Sequence, residues 1–198
     1  MQQKLVEGAE PKRRRGHLRV AAILQTAGDL FAEQGFDAVT MTSIAARSGA
    51  AIGSLYRFFP TKEALADAVL RRFGERIGEE LAALAQDAEH LPLENFADAF
   101  VDHALAWAPD RAAALVLIEA RHIGGAERER LRATLRQRMA EAILRINPRL
   151  APELVAAKAR VLQQLFKLVA AHAGEGEAAV RELRALVRCF LREQVANA

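Results

Sequence analysis

The chain has 198 residues, 52% of them hydrophobic and 27% charged, with a formal net charge of +3, the balance of a globular protein with one or two packed domains. It contains no run of about 18 uncharged apolar residues, which argues against a membrane-spanning helix, and its N-terminus lacks the apolar stretch of a secretory signal. Cys189 is the only cysteine, so no intrachain disulfide is expected, in keeping with a reducing, cytoplasmic setting.

Ala and Leu dominate and β-branched runs are few, so an all-α fold is expected. The charge is unevenly spread. Between residues 11 and 62, Lys12, Arg13, Arg14, Arg15, Arg19, Arg47, Arg57 and Lys62 stand against only Asp29, Glu33 and Asp37. That surplus lies where a polyanion would bind. Residues 1–16 read as a flexible basic arm ending in Lys12-Arg13-Arg14-Arg15. Two roles stay open for it, a DNA arm that follows phosphates or enters the minor groove and a solubilising tail.

Residues 17–34 form the first predicted helix, with Ile23, Ala27, Leu30 and Phe31 on one face and Gly35 as its stop. Gly28 lies inside it, where it would permit close packing by a neighbour. Thr42 is expected to cap a second helix that carries Ile44, Ala45 and Ser48. Gly49 supplies the turn residue that tolerates positive φ. A third helix starts near Ala51, with Leu55, Phe58 and Phe59 on its apolar side and Ser54, Tyr56 and Arg57 outward, and Pro60 stops it. Two short helices joined by a Gly turn are a helix-turn-helix, whose second helix enters the DNA major groove.

The run Gly53-Ser54-Leu55-Tyr56-Arg57-Phe58-Phe59-Pro60-Thr61-Lys62-Glu63-Ala64-Leu65 resembles the signature of the TetR family of transcriptional repressors. The first helix, from Ile23 to Phe36, is similar to that family's first helix. The resemblance covers the first third of the chain. It implies a nine-helix, all-α homodimer: a helix-turn-helix domain at residues 17–63 and a ligand-binding and dimerisation domain at residues 64–198. Thr42, Ala51, Ile52, Gly53, Ser54, Tyr56, Arg57 and Lys62 are then the DNA-facing set, with Tyr56 and Lys62 matching the family's phosphate contacts. The chain departs from a frequent family pattern at Ala51 and Ile52. Ala51 has no side chain to cap the recognition helix, and Ile52 replaces a polar contact with an apolar one. Two readings of Ile52 stay open, contact with a thymine methyl and space filling.

A long fourth helix is predicted from Thr61 to about Gln86, with Leu65, Val69, Phe73, Ile77, Leu81 and Leu84 in a stripe. After His90-Leu91-Pro92, Leu93, Phe96, Phe100, His103 and Trp107 share one face. That face suits either the wall of an apolar ligand pocket or ordinary core. The expected pocket set is Phe96, Phe100, His103, Trp107, Ile118, Met139, Ile143 and Phe166. Another helix begins at Pro109-Asp110 and ends at Gly124-Gly125. Residues 126–147 follow, with Leu131, Leu135 and Met139 inward and an Arg- and Glu-rich start read as a solvated face. The last two helices carry more apolar surface than one domain needs. Leu165, Val169, Val187 and Phe190 are the expected dimer contacts, and the resemblance implies a four-helix bundle between subunits.

The five histidines are scattered, no metal-ligand spacing appears, and no nucleophile elbow, P-loop or dinucleotide fingerprint is present. The sequence thus predicts neither an enzyme nor a metal or cofactor site. It predicts a sequence-specific transcriptional regulator that binds an inverted-repeat operator. The resemblance implies a repressor released by a small apolar or amphipathic ligand. A DNA-binding or architectural protein without an effector is the alternative.

Overall fold

The computed structural model describes residues 10–107, 112–114, 116–117 and 125–198, and for residues 10–15 the backbone alone. Every element among them is helical: α1 (Glu10–Gln34), α2 (Met41–Ser48), α3 (Ile52–Phe58), α4 (Lys62–Asp87), α5 (Leu93–Ala106), α6 (Gly125–Ile146), α7 (Pro152–Ala171) and α8 (Glu177–Leu191). A π-helical turn, Arg192–Ala196, follows α8. Residues 112–114 and 116–117 are helical as well. This is the all-α architecture expected from the sequence. None of the described helices is long and apolar enough to cross a membrane.

α1 starts at Glu10, not at His17. Lys and Arg are good helix formers, and Pro11 suits a first helical turn because its missing N–H would have no partner there. The backbone of Lys12 to Arg15 is thus part of α1 and not of a flexible arm.

The chain divides into two compact units, Met1–Leu70 with Ala113–Gly124, and Arg71–Ala112 with Gly125–Ala198. In the first unit, Ile23, Ala27, Leu30 and Phe31 of α1 are buried with Val39, Ile44, Leu55 and Leu65. Each large apolar side chain withdrawn from water here contributes about 1.5–3 kcal/mol. Phe31 and Phe36 stack at 5.5 Å between ring centroids. At Gly28 a Cβ would sit 3.7 Å from Val69 Cγ1, ordinary contact, so this glycine is not required by packing.

In the second unit, Ile77, Leu81 and Leu84 of α4 are buried with Phe96 and Phe100 of α5, Leu131, Leu135, Met139 and Ile143 of α6, and Leu162, Phe166 and Val169 of α7. Gly78 packs closely, because a Cβ there would lie 2.9 Å from Thr134 Cγ2 and force that side chain to shift. The start of α6 is not wholly solvated as expected. Glu127 is buried and accepts hydrogen bonds from Arg71 at 3.1 and 3.2 Å and from Arg130 at 2.8 Å. A buried carboxylate needs such partners.

An ion-pair ladder joins α5 to α8. Arg188 makes two bonds to the Asp98 carboxylate, at 3.0 and 2.5 Å. Arg184 pairs with Asp102 and donates to the Asp98 carbonyl, and Arg192 pairs with Glu94. The Asp98 carboxylate holds the Arg188 guanidinium above its ordinary pKa. Acids at 94, 98 and 102 and arginines at 184, 188 and 192 each recur every four residues, so they line facing helical stripes. The ladder fixes the rotation of α8. Val187, Leu191 and Val195, at the same spacing, then point into the core.

Candidate nucleic-acid interface

The helix-turn-helix is built by local hydrogen bonds. Thr40, not Thr42, caps α2: its side chain accepts from the Ser43 N–H at 3.1 Å, and Ser43 Oγ accepts from the Thr40 N–H at 3.1 Å. This reciprocal pair satisfies two otherwise open donors. Thr42 lies one turn position inside the helix and is exposed. Gly49 ends α2 in the left-handed region at φ 67° and donates to Ala45 and Ala46 carbonyls. Ala51 precedes α3 with no side-chain cap, as its methyl group dictates.

α3 is short and turns Leu55 inward, where it is fully buried. Phe59 is also buried but already has extended backbone, with φ −134° and ψ 98°. The chain leaves the helix at this point, so Phe59 swings inward and Phe58 remains outside. The expectation that Phe58 packs inward is thereby corrected. Phe58 is 37% exposed, with the Arg57 guanidinium 5.2 Å from its ring centroid. Ile52 and Tyr56, one turn apart on the same face, are 43% and 49% exposed. Ala51, Gly53 and Arg57 are exposed and Ser54 is half-buried. A Cβ at Gly53 would meet nothing within 4 Å. The outward face of α3 is thus apolar, aromatic and cationic together.

Lys62 does not stand on this face as an available cation. Its Nζ donates to the Phe36 and Val39 carbonyls at 2.8 and 2.9 Å and to the Asp37 carbonyl at 3.3 Å, and it lies 4.3 Å from the Phe36 ring centroid. An ammonium has three donors, and all three are used. Lys62 ties the start of α4 to the loop before α2. Thr61 caps α4 through the Ala64 N–H at 3.0 Å.

Arg47 is also engaged, in a two-bond pair with Glu33 on α1. That hydrogen bond holds the Glu33 carboxyl below its ordinary range. Sequence reasoning missed both ties because charge counting does not show which cations have internal partners. For Arg47 the signal was there: Glu33 lies one turn past Asp29 on the same polar face of α1.

These residues fall within a known family. Residues 23–69 match the model of the bacterial regulatory proteins, tetR family. Residues 23–69 thus form a domain of the tetR type. Over 57 residues it is 49% identical to the HTH-type transcriptional repressor Rv3405c of Mycobacterium tuberculosis, a match covering 29% of this chain and 30% of that repressor. The chain therefore spans less than a third of the length of this curated relative. At the level of fold, it resembles reduced Escherichia coli NemR at a TM-score of 0.71 and 17% identity, covering 91% of this chain and 99% of that one. It resembles Salmonella enterica GusR at a TM-score of 0.64 and 22% identity, covering 98% and 99%.

In the second unit, Phe96, Phe100, Trp107, Met139, Ile143 and Phe166 are all buried, while His103 is half-exposed. Ile118 of the expected pocket lies outside the described residues. Phe100 and Phe166 pack edge-to-face at 5.4 Å, as do Phe73 and Trp107 at 5.4 Å. Arg76 lies 4.5 Å from the Trp107 ring centroid. The indole N–H of Trp107 and the side-chain amide nitrogen of Gln163 are buried with no acceptor among the described residues. A recess of about 620 Å³, lined by Ala173, Gly176, Val180, Arg181 and Arg184 among others, lies elsewhere, at the α7–α8 turn.

Of the expected dimer contacts, Leu165 and Phe190 are half-exposed. Val169 and Val187 are only 1% and 0% exposed and belong to the core of their own subunit, which corrects their assignment to an interface. The exposed apolar residues on these helices are Leu154, Val161 and Leu168 of α7 and Leu186 of α8.

Proposed function

We propose that the protein is a dimeric transcriptional regulator that reads an inverted-repeat operator with α3 and releases it on binding a small molecule. The observation that carries the DNA reading is the outward face of α3. Ile52, Tyr56 and Phe58 stay exposed beside Arg57 although a folded domain would ordinarily cover such a cluster. The family match over residues 23–69 supports the same reading. Support for repression is the similarity to Rv3405c, a transcriptional repressor by name. Two subunits place two recognition helices on half-sites about 34–36 Å apart. Support for the pairing surface is the apolar strip of Leu154, Val161, Leu165 and Leu168 beside Leu186 and Phe190.

Support for an effector is two buried donors, one on Trp107 and one on Gln163, with no acceptor among the described residues. A buried donor left without an acceptor costs about 1–3 kcal/mol, and a ligand bearing a carbonyl, ether or carboxylate oxygen would remove that cost. The proposed ligand is therefore apolar or amphipathic, with an acceptor for one of these donors. It acts by binding one conformation better than the other.

Selection of duplexes from a randomised library by the full chain tests the DNA reading. Enrichment of an inverted repeat with half-site centres one helical turn apart, or a multiple of one, is the expected result, and recovery of no sequence contradicts it. The effector reading is tested by thermal shift and by the fluorescence of Trp107, the only tryptophan. Compounds that raise the melting temperature should also change that emission and lower affinity for the selected duplex.

A further inference from the structure

We propose that Ile52 is a specificity-determining residue that packs against the C5-methyl of a thymine in each half-site. This rests on the DNA reading above and goes further by naming the chemical group that is read. Ile52 opens α3 and is 43% exposed. It shares a helix face with Tyr56, and Arg57 is exposed one residue further on, so its apolar surface lies among groups suited to a polyanion. Recognition helices contact base edges with their N-terminal residues, and Ile52 is the first helical residue. Its side chain has no hydrogen-bonding atom, so the major-groove feature it can recognise is the one apolar group there, the thymine methyl. Branching at Cβ restricts χ1, so the side chain loses little freedom on contact. Gly53, beside it, presents no side chain that would hold the helix away from the groove. Space filling inside the protein does not explain a side chain with this much surface in water.

The test uses the duplex selected by the wild-type chain. Each thymine is replaced in turn by deoxyuridine, which removes only the methyl, and binding is followed by fluorescence anisotropy. At one thymine per half-site, the replacement should weaken the wild type about fourfold, the worth of one buried methyl group. The same replacement should leave Ile52→Ala unaffected, and Ile52→Ala should melt at the wild-type temperature because the site is exposed. Tight binding with no thymine whose methyl matters, or an Ile52→Ala variant equally sensitive to its loss, would overturn the proposal while leaving the DNA reading intact. Failure to select any duplex would overturn both.

Discussion

The exposed face of α3 and the exposed strip on α7 and α8 are both apolar, yet their polar surroundings differ. Around α3, the nearby cations divide. Lys62 and Arg47 are held by carbonyls and by Glu33, and Arg57 stays on the surface. Around α8, Arg184, Arg188 and Arg192 turn into the ladder with Asp102, Asp98 and Glu94, and Leu186 and Phe190 lie on another face. An apolar face beside an exposed cation suits a polyanion that also presents apolar groups. An apolar strip whose neighbouring arginines are committed to internal carboxylates suits another protein surface. The comparison teaches that the partner of a hydrophobic face is set by where its neighbouring charges are committed.

The largest effect should come from charging the α7 and α8 strip. Leu168→Glu combined with Leu186→Glu should give monomers by sedimentation and lower affinity for the selected duplex by about 10²–10⁴, the loss of linked binding. Val187→Ala, one residue away but buried, should cost about 2 kcal/mol of stability and leave the dimer intact. If both variants behaved alike, the division between strip and core would be wrong.

Next comes the tie inside the first unit. Lys62→Met keeps the aliphatic stem but leaves three carbonyls without their donor. Urea unfolding should show a loss of about 1.5–3 kcal/mol, the worth of a charge-assisted hydrogen bond. A smaller gain is expected at Ala51, where Ser would supply the missing cap of α3 and add about 1 kcal/mol. Thr40→Ala should cost a similar amount, whereas Thr42→Ala should fall within about 0.5 kcal/mol.

The smallest effect concerns acid. The folded pKa of Glu33 is depressed by the Arg47 hydrogen bond. Its contribution is therefore fully present above the ordinary carboxylate range and is lost as pH falls through the depressed value. Glu33→Gln should make acid unfolding slightly less steep in that window, and added salt should shrink the difference because both side chains are exposed. An acid transition identical in the two proteins would remove this pair from the account.

The sequence made the elements legible because its periodicity and stop signals act locally. Gly35 and Gly49 end helices with positive φ, Pro152 opens α7, and the stripes of α1, α4 and α6 are buried largely as their spacing predicts. Legibility failed where tertiary partners decide. Lys62 and Arg57 look equally basic in sequence, but only one has three carbonyls within reach. α8 has apolar residues on two faces, and periodicity alone does not say which is inward, so Val187 and Phe190 were grouped together. The acid and arginine repeats at 94, 98, 102 and 184, 188, 192 held that answer. They become informative only once α5 and α8 are known to be neighbours. The cap of α2 was less legible: Thr42 has the right hydroxyl, but the helix already starts at Met41, so Thr40 takes the capping position.

The central claim is that α3 meets DNA from outside while Lys62 holds the motif from within. The salt dependence of binding of Lys62→Met to the selected duplex tests it most directly. A phosphate contact contributes about 0.9 to the slope of log affinity against log salt. The slope should equal that of the wild type, with affinity for selected and scrambled duplexes reduced alike. A slope shallower by about 0.9, in a variant whose stability is unchanged, would return Lys62 to the DNA backbone and contradict the account.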